Sequence, residues 1–128
     1  LPNVGRVRNM STTKTNPQLD ALILDLKAKS RETEAPIWRD IALRLESPRR
    51  NWAEANLSRL ELHAKDGETV IVPGKVLAAG SITKRLTVAA YDFSEAAKTG
   101  IRAAGGETVT LRELMESNPE GTKVRILR

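Results

Sequence analysis

The spacing of apolar residues in the first third of the chain predicts two amphipathic helices. The first begins at Asn16-Pro17, because asparagine caps free N–H groups and proline costs nothing at the first helical position. Its buried face recurs every three or four residues: Leu19, Leu22, Ile23 and Leu26. The second begins near Ala35-Pro36 and ends at Ser47-Pro48, since the residue before a proline avoids the helical region. Its buried face repeats the spacing: Trp38, Ile41, Ala42 and Leu45.

A third helix is predicted to begin at Asn51, where Glu54 stands three residues later in a capping arrangement. Asp66-Gly67 is expected to end it, and its inner face is Ala53, Leu57, Leu60 and Ala64. Residues 16–66 are therefore predicted to be a helical part. Residues 1–15 contain few large apolar side chains, so we expect a basic extension that does not fold by itself.

The second half of the chain changes to the pattern of short strands. Residues 69–72 form a β-branched run that Pro73-Gly74 is expected to stop with a turn. Further strands are predicted at residues 76–79, 86–91, 108–109 and 123–126, and the last of these alternates apolar side chains with cations.

Two short helices separate these strands. Ser94 is expected to cap the first, and Thr110 with Glu113 forms a capping box for the second. Residues 16–128 thus form a single globular domain of the α/β or α+β class, with strands and helices combined in residues 67–128.

Basic residues are concentrated in segments that lack Asp and Glu. The chain has 21 Lys and Arg against 16 Asp and Glu, a net charge of +5. Residues 1–19, 47–53, 69–91 and 121–128 contain no acid, yet they hold eleven of the cations. Because these segments fall at predicted loops and ends, we predict a polyanionic partner rather than a scatter of solvated charges.

No pattern of catalytic or metal-binding residues stands out. The chain has no cysteine, which fits a reducing compartment, and His63 is its one histidine, so no Cys/His metal site can be assembled. A phosphate loop at Gly74-Lys75 would need a glycine five residues earlier and Ser or Thr next, and both are missing. No apolar run approaches the roughly 20 residues of a membrane span. We therefore predict no enzyme, no cofactor, no metal, no small-molecule substrate and no membrane association.

Arg49 and Arg50 occupy the predicted corner between two helices, with no carboxylate within two residues. Guanidinium donors beside a helix beginning at Asn51 would suit a phosphate, and Trp52 is the one aromatic candidate for a base contact. Similar arguments select the other predicted RNA-binding residues: Arg6, Arg8, Lys14, Asn16, Lys75, Lys84, Arg85 and Arg125. Lys123, Arg125 and Arg128 could equally face a protein. Aromatic residues make up only 3% of the chain, which favours folded RNA or a duplex over single strands.

Several segments resemble a family of ribosomal proteins. Residues 75–106, KVLAAGSITKRLTVAAYDFSEAAKTGIRAAGG, are similar to a signature shared by the bacterial large-subunit ribosomal protein numbered fifteen and its relatives. The segments KTNPQLDALI, SPRRNWAEANLSRLE, IVPGK and NPEGTKVRILR resemble the eighteen-e family of the archaeal and eukaryotic large subunit. The likeness runs from about Lys14 to Arg128, and the compact length resembles the archaeal members. Residues 1–13 depart from the family pattern.

The resemblance implies a cytoplasmic, structural constituent of the large ribosomal subunit that supports translation without catalysis. Its partners would be 23S-type ribosomal RNA and neighbouring ribosomal proteins. It also implies an α/β fold, with a helical N-terminal region packed on a C-terminal unit of short strands and helices. A DNA-binding or other nucleic-acid-binding protein outside the ribosome is the alternative, and a small metabolic enzyme is a third hypothesis.

Overall fold

The computed structural model describes residues 16–127, which form two layers of helices around a parallel sheet. The helices are α1 (Pro17–Thr33), α2 (Pro36–Glu46), α3 (Leu57–His63), α4 (Glu95–Ala103) and α5 (Leu111–Ser117). The strands are β1 (Ala53–Asn56), β2 (Thr69–Leu77), β3 (Thr87–Phe93), β4 (Glu107–Thr110) and β5 (Val124–Ile126). The predicted extension, residues 1–15, and Arg128 lie outside the described residues, so the division into extension and domain stays a prediction.

All pairings in the sheet are parallel. β3 pairs with β2 on one side and with β4 on the other. The second edge of β2 is shared, because β5 pairs with residues 69–71 and β1 pairs with residues 74–77. The central strand is therefore covered along both edges by three different segments of the chain.

Each face of the sheet carries its own apolar core. Successive side chains of a strand point to opposite faces, so Ile71 and Ala89 pack with α1, α2 and α5, whereas Val70 and Val88 pack with α3 and α4. A strand that is covered on both faces has a continuous run of apolar residues in its sequence, and residues 69–72 form such a run. A parallel sheet between helices confirms the α/β class. Within residues 16–127, no helix has the length and apolar character needed to cross a lipid bilayer.

The predicted helix caps at three positions are confirmed. Asn16 Oδ1 accepts hydrogen bonds from the N–H groups of Gln18 and Leu19, at 3.0 and 3.2 Å. Thr110 and Glu113 bond reciprocally at the start of α5, at 2.8 and 3.1 Å. Ser94 Oγ accepts from the N–H of Ala97 at 3.1 Å and begins α4. These caps depend on side chains within three positions of the helix start, which is why the local sequence is sufficient to predict them.

The prediction that the third helix begins at Asn51 is wrong. Residues 49–51 form one 3₁₀ turn, residues 53–56 form β1, and α3 begins only at Leu57 with Asn56 as its cap. The physical reason is a non-local pairing of β1 with the second half of β2. Gly74 permits it, because a Cβ there would lie 1.9 Å from the carbonyl oxygen of Ala53.

The prediction of a turn at Pro73-Gly74 is also wrong, because β2 continues through both residues. The register between β2 and β3 shifts between Val72 and Lys75, which marks a bulge. A bulge leaves one residue unpaired, so a proline without an N–H group is tolerated there. The alternation predicted at the chain end is confirmed, since Val124 and Ile126 pack against the core formed with α1, α2 and α5.

Candidate nucleic-acid interface

The described residues that we predicted to bind RNA fall into two groups at opposite ends of the sheet. The carboxyl-end group comprises Asn16, Arg49, Arg50, Asn51, Trp52 and Lys75, and the amino-end group comprises Lys84, Arg85 and Arg125. Thr69 pairs with the first residues of β3 and β5, so it marks the amino end of the sheet. It lies six residues before Lys75 along β2, which puts the two groups about 20 Å apart at the usual rise per residue of a strand. Arg6, Arg8 and Lys14 lie outside the described residues. One compact site therefore does not include all of the predicted residues.

Arg49 lies against two aromatic rings in the carboxyl-end group. Its guanidinium carbon lies 4.8 Å from the ring centroid of Trp52 and 5.6 Å from that of Tyr91. The two rings meet edge to face, with centroids 5.1 Å apart and planes at 76°. A cation over ring faces gains attraction from the ring quadrupoles, so the rings restrict the directions that this long side chain can take.

The 3₁₀ turn explains why Arg49 and Trp52 meet. Asn51 N–H donates to the carbonyl of Pro48 at 2.8 Å, and Trp52 N–H donates to the carbonyl of Arg49 at 3.0 Å. Side chains three residues apart eclipse one another in such a turn. The Trp52 indole N–H then donates to the carbonyl of Ser47 at 2.9 Å, which fixes the ring.

The helix N-terminus that we expected at Asn51 is absent, so its N–H groups do not form the anticipated anion site. Arg50 and Asn51 are exposed beside Arg49. Asn16 is engaged inside the protein, because its Oδ1 caps α1 and its Nδ2 donates to the Tyr91 hydroxyl at 3.3 Å. Asn16 thus contributes to the placement of Tyr91, whereas Arg50 and Asn51 remain available to a partner.

Three cations of the carboxyl-end group have no polar partner within residues 16–127. No hydrogen bond or ion pair joins the side chain of Arg49, Arg50 or Lys75 to another described side chain or carbonyl. Arg49 and Lys75 line one pocket of about 180 Å³ together with Glu54 and Asp92. Contact with a phosphate requires exposed guanidinium or ammonium groups that have no partner within the protein.

Lys84, in the amino-end group, stabilises the end of α3. Its ammonium donates to the carbonyls of Glu61 and Ala64, at 2.6 and 2.7 Å. The Glu61 carboxylate in turn accepts from the N–H and hydroxyl of Thr83, at 2.9 and 2.8 Å, and these bonds hold the pKa of Glu61 below its ordinary value. Lys84 is therefore committed to carbonyls that the helix leaves unsatisfied.

Arg85 and Arg125 each face a carboxylate. The guanidinium Nη2 of Arg85 lies 3.9 Å from Asp66 Oδ2, and the backbone N–H of Arg85 donates to Asp66 Oδ1 at 2.6 Å. Arg125 Nε donates to Glu68 Oε1 at 2.9 Å, which lowers the pKa of Glu68 and raises the pKa of Arg125. The acid-free segments of the sequence thus acquire acidic neighbours in the fold.

Tyr91 is a residue of the interface that the sequence analysis did not select. Its position at the carboxyl end of a predicted strand could have identified it, because ligands of parallel sheets commonly bind there. Glu54 and Asp92 were likewise not selected, because Glu54 was assigned to a helix cap and the polyanion prediction was based on cations alone. Within the part of the chain that the structure describes, no three His, Asp or Glu side chains are grouped to hold a metal ion.

Comparison with known proteins identifies the family. Residues 3–128 match the family model described as ribosomal protein 60S L18 and 50S L18e. The match begins well before Lys14, so the expectation that residues 1–13 depart from the family pattern is wrong for residues 3–13. The chain is 55% identical over 115 residues to large ribosomal subunit protein eL18 of Methanoregula boonei, which covers 90% of this chain and 95% of the relative. Proteins of the same name from Halobacterium salinarum and Haloarcula marismortui are 53% and 52% identical over 116 residues, which covers 91% of this chain and 99% of each relative. The chain therefore belongs to the ribosomal protein 60S L18 and 50S L18e family, and it is of the archaeal type.

Proposed function

We propose that this protein is a non-catalytic, structural constituent of the large subunit of the cytoplasmic ribosome, where it stabilises folded ribosomal RNA. The cations at the carboxyl end of the sheet would contact phosphates. The observation that carries the proposal is that Arg49, Arg50 and Lys75 lack internal polar partners while aromatic rings hold Arg49 in place. Relatives named as large ribosomal subunit proteins support the choice of particle.

Each group of cations has a different part in this proposal. Arg49, Arg50 and Lys75 are the main phosphate contacts, with Asn51 beside them. Arg85 is 72% exposed at its side chain, so it can reach a second RNA segment while its N–H remains bonded to Asp66. Lys84 and Arg125 contribute by stabilising the fold through their internal hydrogen bonds. The predicted contacts of Arg6, Arg8 and Lys14 remain part of the proposal, as do neighbouring ribosomal proteins as partners.

The mechanism would be the release of counterions from the RNA. Each phosphate that a cation neutralises contributes a slope of roughly 0.7 to 0.9 in the logarithm of affinity against the logarithm of salt concentration. Contacts of this kind position an RNA without reading its sequence. A protein that contacts two RNA segments about 20 Å apart, one at each end of the sheet, would hold those segments at a fixed separation.

The test measures binding of the purified chain to large-subunit ribosomal RNA fragments and to duplex DNA across a salt series. The double variant Arg49→Ala, Arg50→Ala should weaken RNA binding and lower the salt slope by roughly 1.5. The control is Arg31→Ala, Arg39→Ala, which removes the same charge from two exposed helix positions without ion pairs in the described chain. It should leave the slope within about 0.5 of the wild-type value.

Two results would contradict the proposal. One is a preference for duplex DNA over ribosomal RNA, which would favour a nucleic-acid-binding protein outside the ribosome. The other is an equal loss of slope in the test and control variants, which would mean that overall charge decides binding. In cell extracts, the wild-type chain should sediment with the large ribosomal subunit in a sucrose gradient.

A further inference from the structure

The pocket at the carboxyl end of the sheet combines groups that a phosphate alone does not need. The residues that line it include two basic residues, Arg49 and Lys75, two acidic residues, Glu54 and Asp92, and the aromatic residue Tyr91. Two carboxylates offset the attraction of the two cations for a bare phosphate, so the pocket fits a ligand that has hydrogen-bond donors as well as negative charge. An RNA nucleotide has both, because its base carries N–H groups and its backbone carries the phosphate.

The carboxylates are able to accept hydrogen bonds from such a base. Glu54 is exposed, and its carboxylate has no partner within the described residues. One oxygen of Asp92 accepts the N–H of Phe93 at 2.9 Å, which leaves the second oxygen without a donor. Among the bases, guanine places an imino and an amino donor side by side on its pairing edge, where both oxygens of a carboxylate can accept them. This edge is exposed only when the guanine is unpaired.

The size of the pocket limits it to one base. A volume of about 180 Å³ equals that of roughly six liquid water molecules, which is too small for two stacked bases. Trp52 also cannot serve as an open stacking platform, because Arg49 lies over its ring and Tyr91 abuts it edge to face. Trp52 is instead a positioning residue for the guanidinium.

We propose that this pocket binds one unpaired guanosine that projects from a folded RNA, such as a single-nucleotide bulge. Glu54 and Asp92 accept hydrogen bonds from the guanine edge, while Arg49 and Lys75 contact the adjoining phosphates. The inference rests on the proposed binding of ribosomal RNA and adds the feature of the RNA that the site selects.

The experiment compares three RNA hairpins of equal length, which carry a bulged guanosine, a bulged abasic ribose at the same position, or no bulge. The abasic hairpin keeps the phosphates and the bend but lacks the base. Wild-type protein should bind the bulged guanosine roughly tenfold more tightly than the abasic bulge, as expected for one bidentate base contact.

The double variant Glu54→Gln, Asp92→Asn should reduce this ratio to about twofold, because each amide replaces an acceptor with a donor. The control Glu116→Gln, Glu120→Gln removes the same charge from two exposed positions outside the pocket and should keep the full ratio. Both double variants raise overall RNA affinity by their charge, so the ratio isolates the base contact.

Equal wild-type binding to the guanosine and abasic bulges would overturn the pocket proposal, as would an unchanged ratio in Glu54→Gln, Asp92→Asn. Either outcome, with a steep salt slope retained, would leave the proposed RNA binding in place. Absence of binding to all three hairpins and to ribosomal RNA fragments would overturn both proposals.

Discussion

Replacement of Gly74 by alanine is a direct test of how β1 is placed. The added Cβ would lie 1.9 Å from the carbonyl oxygen of Ala53 and within 3.0 Å of its carbonyl carbon and nitrogen. All three are backbone atoms, so no flexible side chain can move aside. Gly74 does not have a positive φ, so the cost is steric rather than conformational. The alanine variant must therefore push β1 away from β2.

The expected loss can be worked out from what β1 contributes. Overpacking in a rigid environment costs about 1–3 kcal/mol. Separation of the strands also weakens the pairing of Ala53–Asn56 with residues 74–77, at about 1 kcal/mol per net hydrogen bond. We expect Gly74→Ala to lower the free energy of unfolding by about 3 kcal/mol. Because Trp52 precedes β1 directly, its ring should also leave Tyr91, and RNA binding through Arg49 should weaken.

Urea denaturation followed by circular dichroism measures this loss, with Gly67→Ala as the matched control. Gly67 has a φ of +84° and nothing within 4 Å of an added Cβ, so its replacement costs only backbone strain, about 1 kcal/mol. The control should retain wild-type RNA affinity. A Gly74→Ala variant within 0.5 kcal/mol of wild type would refute the assigned contact between β1 and β2.

Two further predictions concern the amino end of the sheet. Lys84→Met should lower the free energy of unfolding by about 1–2 kcal/mol, because the carbonyls of Glu61 and Ala64 lose their donor, and should leave the salt slope of RNA binding unchanged. A lower slope with unchanged stability would contradict the structural role. In the fold, the hydrogen bond from Arg125 lowers the pKa of Glu68. The ionised carboxylate therefore contributes fully to the free energy of unfolding at pH values above its unfolded pKa, near 4.3. That contribution is lost as the pH falls through the lower pKa of the folded state. Urea denaturation between pH 7 and pH 3 should therefore show a smaller loss of stability for Glu68→Gln than for wild type, and parallel profiles would count against the ion pair.

The sequence was sufficient to predict features that depend on neighbouring residues. The caps at Asn16, Ser94 and Thr110 are examples, since each side chain bonds to an N–H two or three positions later. The apolar spacing of α1 and α2 identified their buried faces, because helix geometry repeats every 3.6 residues. The same local patterns left the α/β and α+β classes open, and the family resemblance implied the α/β fold.

Features that depend on distant pairing could not be predicted in this way. Asn51 and Glu54 have the spacing of a capping box, yet the strand that follows is stabilised by residues 74–77, which lie in a later segment. Pro73-Gly74 has the composition of a turn, but strands on both sides of β2 hold it extended. Local preference amounts to less than about 1 kcal/mol per residue, so sheet pairing overrides it.

The candidate site shows the same limit for charge. Lys84, Arg85 and Arg125 lie in acid-free segments, whereas the fold brings Asp66 and Glu68 to the two arginines and helix carbonyls to the lysine. Arg49 differs because its partners are aromatic rings, and no described carboxylate forms an ion pair with it. A linear charge map therefore locates cations correctly but does not distinguish those free for a partner.

The shared edge of β2 has a consequence for the order of events during synthesis. β2 is synthesised well before β5. On the edge of β2 that β5 covers, the N–H and C=O groups of residues 69–71 therefore remain unpaired until residues 124–126 have been made. An open strand edge of this kind invites pairing with other chains. A truncated product that lacks β5 should therefore aggregate rather than remain a folded monomer.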